Sequence, residues 1–174
     1  MKLNVGSGLR RYEGFLNCDL SVDVKADYVF DAERARWPFE DNSVEEIKTE
    51  NLLEHFHSLD NFMNEAWRVL KSGGKLVVLV PHYRHFYAYY DPDHIRYFTE
   101  QSMIYWSRNT KGSDGIPVVR GPADFDVISV TRTVDQSKLE NFPKDLQDFM
   151  LEHSWNVIQF LKFELKAVKP AREF

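Results

Sequence analysis

The stretch that decides the fold is LNVGSGLRRYEGFLNCDL, residues 3–20. Lys2–Val5 is a short apolar run of the kind that forms a buried strand, and the glycine turn Gly6–Gly8 follows it directly. A glycine has no Cβ, so a ligand can approach the backbone closely at this turn. Asp19 ends a second predicted strand, Phe15–Leu20, where a carboxylate can accept hydrogen bonds from two ribose hydroxyls. The pattern is typical of a nucleotide-like cofactor site, and equally of an ordinary tight turn.

Two common nucleotide motifs do not fit this stretch. The third glycine of the dinucleotide fingerprint is replaced by Arg11, and Asp19 follows Gly6 by thirteen residues, whereas that fingerprint has roughly twenty. No Gly-Lys-Ser/Thr sequence follows the turn, so a phosphate-binding P-loop is excluded as well. A cofactor at this turn is therefore expected to carry a ribose and to need little pyrophosphate contact.

Strands and helices are predicted to alternate along the rest of the chain, which indicates an α/β domain with a mostly parallel sheet. Two late strands with little helix between them indicate an antiparallel edge. Ser58 and Thr99 are predicted to begin two of the helices, and Ser72–Gly74 to end the first. The further predicted strands are Asp27–Phe30, Lys75–Val80, Phe125–Val134 and Phe160–Val168, the helices are Ser58–Leu70, Phe98–Arg108 and Lys144–His153, and Asn109–Pro122 is predicted to be a loop.

One segment is ambiguous. Ser43–Asn51, with the sequence SVEEIKTEN, favours a helix by its content of Glu and Lys. The alternation of elements instead requires a strand at this place.

Composition limits the class of protein. With 174 residues, 43% of them hydrophobic, the chain suits one domain, residues 1–174, with a packed core. A formal net charge of −5 argues against broad binding of nucleic acid. No apolar run is long enough to span a bilayer, no signal peptide opens the chain, and the single cysteine, Cys18, cannot form an internal disulfide. We therefore expect a cytoplasmic protein that is not inserted in a membrane.

Four further segments, together with the glycine turn, resemble one known family. They are WPFEDNSVEEI (residues 37–47), NLLEHF (51–56), EAWRVLKSGGKLVVLVPH (65–82) and YYDPDHIRYFT (89–99). The chain resembles the small class I S-adenosylmethionine-dependent methyltransferases of the type 11 kind. The resemblance implies a three-layer, Rossmann-like sheet of seven strands with an antiparallel last strand, and a strand at Ser43–Asn51. Only ten residues separate Gly8 from Asp19, so the first helix must be reduced to a turn.

The resemblance also implies the residues that bind S-adenosylmethionine. The turn after the first strand would face its methionine part, and Asp19 would hold the ribose. Residues after the third strand would flank the adenine, and residues after the fourth would lie under the methyl group. The expected cofactor-binding residues are Asn4, Gly6, Ser7, Gly8, Asp19, Asp31, Ala32, Asn51 and Leu52.

The acceptor site is expected in the segment PHYRHFYAYYDPDH, residues 81–94. Methyl transfer to a hydroxyl needs a base, and histidine is the usual base near neutral pH. The candidates are His82, His85 and His94 as the base, Arg84 as a clamp for an anionic group, and Tyr83, Tyr87 and Tyr89 as walls for a sugar or a small molecule.

The histidines also permit a metal site that joins this segment to residues 54–57. His55 and His57 form a His-x-His pair, and Glu54 or Asp93 could complete a ligand set with the histidines of residues 82–94. The family does not usually need a metal, so none is predicted.

Two classes of function follow. The first is an enzyme that transfers the methyl of S-adenosylmethionine to a small-molecule or sugar-type acceptor. The second is a binding or scaffold protein with this fold that acts through a partner. The short first helix, and the expected lack of helices before the first strand, favour a homo-oligomer or a partner chain over the apolar surface they leave.

Overall fold

A single mixed sheet organises the chain in a computed structural model that describes residues 1–109 and 121–173. Seven strands lie in the order β3-β2-β1-β4-β5-β7-β6. Neighbours among β1 to β5 are parallel, and β7 is antiparallel to both β5 and β6, between which it lies. The strands are β1 (Lys2–Val5), β2 (Leu16–Asp19), β3 (Tyr28–Val29), β4 (Val44–Glu50), β5 (Leu70–Pro81), β6 (Phe125–Val134) and β7 (Ile158–Ala167). The predicted fold class, including the antiparallel last strand, is confirmed.

Two α-helices accompany the sheet in the described residues, α1 (Asp60–Val69) and α2 (Lys144–His153). α1 buries Phe62, Met63 and Ala66 against the strands, as its apolar periodicity predicts. α2 has the predicted bounds and no buried residue. Neither helix has the length and apolar character that crossing a membrane would require.

α1 ends earlier than predicted. The sequence predicts a helix to Leu70 that is stopped by the glycines at 73 and 74, but Leu70 already pairs with Val44 as the first residue of β5. Gly73, with φ at +77°, lies in the irregular part of that strand. At the other end, Ser58 Oγ accepts the Asp60 N–H at 3.2 Å, so its capping hydroxyl acts two residues before the helix begins.

The ambiguous segment is strand β4, as the resemblance implies. A register shift between Val44 and Glu46 places both Val44 and Ile47 on the buried side. Their spacing of three residues imitates helical periodicity, which explains why the local pattern misleads. The charged residues between and after them face away from the core.

The helix predicted over Phe98–Arg108 is instead a short 3₁₀ helix, Ser102–Trp106. Phe98 forms a bridge with His82 at the end of β5, which holds the chain extended where the helix was expected to begin. Thr99 donates its N–H to Ser102 Oγ, which ties the extended chain to the first residue of the 3₁₀ helix. Of the predicted loop Asn109–Pro122, residues 110–120 lie outside the described residues.

One face of the sheet is polar. Alternate residues of each strand belong to opposite faces, and one face carries many charged side chains together with a few apolar ones such as Val77 and Leu79. Both described α-helices lie toward the other face: α1 packs there, and α2 contacts Arg132, which pairs with Leu161 of that core. We call the polar side the open face; its residues include Lys2, Asn4, Asn17, Glu46, Lys48, Glu50, Lys162 and Glu164. Between β1 and β2 only a turn is present, so the reduced first helix is confirmed and the helical layer on this face is reduced further than predicted.

Candidate functional site

The glycine turn is fixed by hydrogen bonds to β2. The N–H groups of Gly6 and Ser7 both donate to the Cys18 carbonyl, at 2.9 and 3.1 Å. The Gly8 N–H donates to Asp19 Oδ2 at 2.8 Å, and the Ser21 N–H donates to Asp19 Oδ1 at 3.0 Å. A carboxylate offers about four acceptor positions, so Asp19 fastens the turn and keeps free positions for a ligand.

The two glycines serve different purposes. A Cβ on Gly6 would lie 2.7 to 2.9 Å from three atoms of the Leu52 side chain, and φ at this residue is +70°. A Cβ on Gly8, where φ is +49°, would have no atom within 4 Å. Gly6 therefore permits the close packing of Leu52, which corrects the expectation that both glycines open the backbone to a ligand. Gly8 alone faces open space.

Two cavities adjoin this turn. The first, of about 450 Å³, lies beside the ends of β2 and β3. The second, of about 500 Å³, lies over the turn itself. Gly6 lines both of them, and all nine predicted cofactor-binding residues line one or the other. Those in the first are Gly6, Asp19, Asp31, Ala32 and Leu52, and those in the second are Asn4, Gly6, Ser7, Gly8 and Asn51.

The first cavity also has walls that the sequence analysis missed. Leu20 is 67% exposed directly after β2, and Phe30 packs partly against the core on the opposite side. Glu33 accepts the Ser58 N–H at 2.9 Å and so ties the segment after β3 to the start of α1. An apolar residue at a strand end, exposed beside an acidic one, is the signal that could have identified Leu20. Phe56 and His57 complete the lining.

A third cavity of about 240 Å³ adjoins the other two. It shares Asn51 with the second cavity and His55 with the first. Its remaining lining residues are Glu54, Pro81, Tyr87, Tyr90, Asp91, His94 and Phe160. Two predicted acceptor-site residues, Tyr87 and His94, thus lie next to the predicted cofactor residues. Tyr87 stacks on Phe160 with ring centroids 5.3 Å apart.

Hydrogen bonding fixes the orientation of His94 and its neighbours. The Ile95 and Arg96 N–H groups both donate to the Glu54 carbonyl, which brings the loop after β5 onto the segment after β4. His94 Nδ1 donates to the Tyr87 carbonyl at 2.9 Å. A neutral imidazole carries one N–H, so the lone pair of His94 is on Nε2, which lies 4.0 Å from Glu54 Oε1.

Glu54 is the most unusual group in this region. Its side chain is 1% exposed, and neither carboxylate oxygen has a hydrogen-bond partner among the described residues. Burial raises the pKa of Glu54 to about 7, because the charged form is deprived of water. The sequence analysis considered Glu54 only as a metal ligand, since nothing in the local pattern indicates that it is buried.

The other two predicted base residues are not brought to the three cavities. His82 is fully buried, its Nδ1 accepts the Arg84 N–H, and burial lowers the pKa of its imidazole to about 4. His85 is also buried, and its Nδ1 accepts the Tyr87 N–H at the start of a 3₁₀ turn. Burial lowers the pKa of His85 as well. Neither residue lines any of the three cavities described above.

Three predicted acceptor-binding residues lie elsewhere too. Arg84 donates to the carbonyls of Leu151 and Glu152 at the end of α2, so its guanidinium caps that helix. Tyr89 donates its hydroxyl to the Tyr83 carbonyl and stacks on Tyr97, with centroids 4.7 Å apart. The exposed Tyr89 ring thus packs with Tyr97 and Trp155, the half-buried Tyr83 ring packs against His82, and neither tyrosine lines the third cavity.

Comparison with known proteins supports the interpretation of the fold. The family described as "Methyltransferase domain" matches residues 15–78. No curated protein sequence matches the chain.

Solved structures match over most of the chain. A methyltransferase from Archaeoglobus fulgidus, described as dependent on S-adenosylmethionine, has a TM-score of 0.65 at 14% identity and covers 95% of this chain and 85% of its own. A complex of the Haloferax volcanii Trm112 activator with a methyltransferase has a TM-score of 0.64 at 14% identity, and the match covers 99% of this chain and 83% of the other. Haemonchus contortus phosphoethanolamine N-methyltransferase 2, in complex with S-adenosylmethionine, has a TM-score of 0.55 at 19% identity. The match covers 97% of this chain and 48% of the other.

The solved structures and the strand order of the sheet indicate the same fold. The predicted resemblance to class I methyltransferases is confirmed, and the chain has the class I methyltransferase fold.

Proposed function

We propose that the chain binds S-adenosylmethionine in the first and second cavities and transfers its methyl group to an acceptor in the third. The observation that carries the proposal is that nine residues named from sequence line two adjoining cavities at the ends of β1 to β4. Ligands of open α/β sheets bind at the carboxyl ends of the strands, near the point where strand order reverses. Here that point lies between β1 and β4.

Each part of the cofactor has a suitable partner. The Asp19 carboxylate keeps acceptor positions for ribose hydroxyls beside its two backbone bonds. Leu20, Phe30 and Ala32 offer apolar surface for the adenine in the first cavity. Gly8, with open space before it, lets the methionine part lie against the turn in the second cavity.

The third cavity suits a small acceptor with a hydroxyl or ring. Tyr87 and Tyr90 supply aromatic walls, on which sugars and planar rings both stack. His94 is the one predicted base that lines this cavity, and Nε2 is its free acceptor. The enzyme mostly supplies alignment, because correct orientation of the reacting groups lowers the barrier to such a displacement by roughly 7–11 kcal/mol. His94 accepts the proton of the acceptor hydroxyl as the methyl is transferred.

The test is thermal unfolding with S-adenosylmethionine, S-adenosylhomocysteine and NAD in parallel. Ligand at 100 times its dissociation constant stabilises by about 2.7 kcal/mol, so the first two should raise the midpoint by roughly 5–10 °C and NAD should not. Asp19→Asn should weaken cofactor binding at least about tenfold, since hydrogen bonds to a charged group contribute about 1.5–3 kcal/mol. Asp23→Asn, four residues on and outside the cavities, is the matched control. An unchanged dissociation constant in Asp19→Asn would remove Asp19 from the site.

A second candidate function is a scaffold with the same fold that acts through a partner. The open face, which no described α-helix covers, favours it. One similar solved structure is a complex with an activator protein, and we extend that arrangement to a partner or second copy of this chain on the open face. Absence of any shift with S-adenosylmethionine, together with a dimer in light scattering, would favour this function over catalysis.

A further inference from the structure

Three side chains that line the third cavity lie close together. They are Glu54 and His55, from the short 3₁₀ helix after β4, and His94, from the loop after β5. One ligand atom from each lies within 4.8 Å of the others. The rings of His55 and His94 pack edge to face, with centroids 4.7 Å apart. Residues distant in sequence thus converge on a space small enough for one ion.

One ring nitrogen of each histidine is held by a backbone carbonyl. His55 Nδ1 donates to the Asp93 carbonyl at 3.3 Å, and His94 Nδ1 donates to the Tyr87 carbonyl at 2.9 Å. A backbone carbonyl on one ring nitrogen fixes the tautomer and leaves the lone pair on the other, which is the usual arrangement around metal-binding histidines. Nε2 of each ring is therefore available as a ligand.

The carboxylate supplies an independent observation. Glu54 is 1% exposed, and both of its oxygens lack a hydrogen-bond partner among the described residues. A buried carboxylate without partners costs several kcal/mol unless a proton or a cation compensates it. The 4.0 Å separation from His94 Nε2 is too long for a hydrogen bond. Two ligands of a tetrahedral ion with bonds of about 2.0–2.2 Å are about 3.3–3.6 Å apart, so these two atoms would need to approach by roughly half an ångström to bind one ion.

We propose that Glu54, His55 and His94 bind one divalent transition-metal ion, with Asp91 at the edge of the site. Asp91 Oδ2 lies 3.9 Å from His94 Nε2 and lines the same cavity. Two imidazoles and a carboxylate leave open positions on a metal, where an acceptor oxygen can bind. The ligand set favours Zn²⁺ over Mn²⁺ by the usual order of affinities, and it disfavours Mg²⁺, which prefers oxygen ligands.

This site deepens the proposed function and rests on it only for the identity of the acceptor. With the ion bound, His94 is a ligand and no longer the base. The ion would lower the pKa of an acceptor hydroxyl that coordinates it. Asp91, whose side chain is 35% exposed beside His94, would accept the hydroxyl proton while the acceptor oxygen bonds to the methyl group and S-adenosylhomocysteine leaves. The acceptor class is accordingly one with a hydroxyl that can reach the ion.

The experiment is calorimetric titration of protein without a histidine tag, after treatment with EDTA and desalting. Zn²⁺, Mn²⁺ and Mg²⁺ are titrated separately, and Co²⁺ is added as a spectroscopic probe of imidazole coordination. We expect one equivalent of Zn²⁺, weaker Mn²⁺ and no measurable Mg²⁺. Glu54→Gln, His55→Gln and His94→Gln should each lower Zn²⁺ affinity by more than about tenfold, since even groups behind the ligands contribute 10–100-fold. His153→Gln, on exposed α2, is the control that also removes one histidine.

Two results would overturn the site: no stoichiometric Zn²⁺ binding by the unmodified chain, or a Zn²⁺ affinity in all three ligand variants that equals that of the unmodified chain. Glu54→Gln conserves side-chain volume, so its fold is preserved and can be checked by circular dichroism. The thermal shift with S-adenosylmethionine is measured on the same samples. A retained shift without Zn²⁺ binding refutes the metal site alone, whereas loss of the shift in the unmodified chain refutes the proposed function.

Discussion

Replacing each glycine of the turn by alanine should separate packing from ligand access. Gly6→Ala puts a non-glycine residue at a φ of +70°, which costs about 1–2 kcal/mol. It also drives a methyl group into Leu52, where Cδ2, Cδ1 and Cγ would lie at 2.7, 2.8 and 2.9 Å. Overpacking of this kind costs about 1–3 kcal/mol. Gly8→Ala incurs the backbone cost alone, since no atom lies within 4 Å of its Cβ.

The expected loss of stability is therefore about 2–5 kcal/mol for Gly6→Ala and about 1–2 kcal/mol for Gly8→Ala. Urea unfolding with a constant m-value measures both, and the midpoint of thermal unfolding should fall by about 2–4 °C for each kcal/mol. Gly8→Ala should lower the affinity for the cofactor more than Gly6→Ala does, because its new methyl group points into the open second cavity.

A double substitution tests the physical cause. Leu52→Ala in the Gly6→Ala background removes the atoms that the new methyl meets, so the two changes should couple by about 1–3 kcal/mol. Equal destabilisation by Gly6→Ala and Gly8→Ala, with no coupling to Leu52, would show that Leu52 moves aside freely and would refute the packing argument.

Two more predictions concern residues that the structure places away from the acceptor. Burial lowers the pKa of His82 from 6.5 to about 4, so the unfolded state binds more protons between these values and stability should fall as pH drops through them. Between pH 7 and pH 4, the urea midpoint should depend less on pH in His82→Gln than in the unmodified chain, and His153→Gln should behave like the unmodified chain. The same pH dependence in His82→Gln and the unmodified chain would contradict this. Arg84→Ala leaves the carbonyls of Leu151 and Glu152 without their donor, so the free energy of unfolding should fall by about 1 kcal/mol. Urea unfolding measures this loss, and titration should show an unchanged affinity for S-adenosylmethionine. An unchanged stability would argue against this capping role.

The region around β4 shows where local pattern fails. Val44 and Ile47 are both buried although three residues separate them, because the register shifts between Val44 and Glu46. Glu46 and Lys48 face the open side, so helix-forming residues are compatible with a strand. Propensity is a weak preference, and pairing with β1 and β5 overrides it.

The acceptor site shows the same limit for single residues. His82, His85 and His94 follow one strand within thirteen residues of one another, and nothing in the sequence ranks them. The extended pairing of His82 with Phe98 buries the first of them, while the bonds of Ile95 and Arg96 to the Glu54 carbonyl carry the third to the cavities.

The sequence by itself determined the alternation of strands and helices and the glycine turn after the first strand, because hydrophobic patterns and turn glycines depend on neighbours in the chain. The antiparallel last strand and the nine expected cofactor residues came from the resemblance to a known family. Only the tertiary structure decided that Gly6 packs on Leu52, that Arg84 caps α2, and that Glu54 is buried beside His94. Each of these depends on contacts between residues far apart in sequence, and the burial that sets a pKa or leaves a carboxylate without a partner exists only once those segments meet.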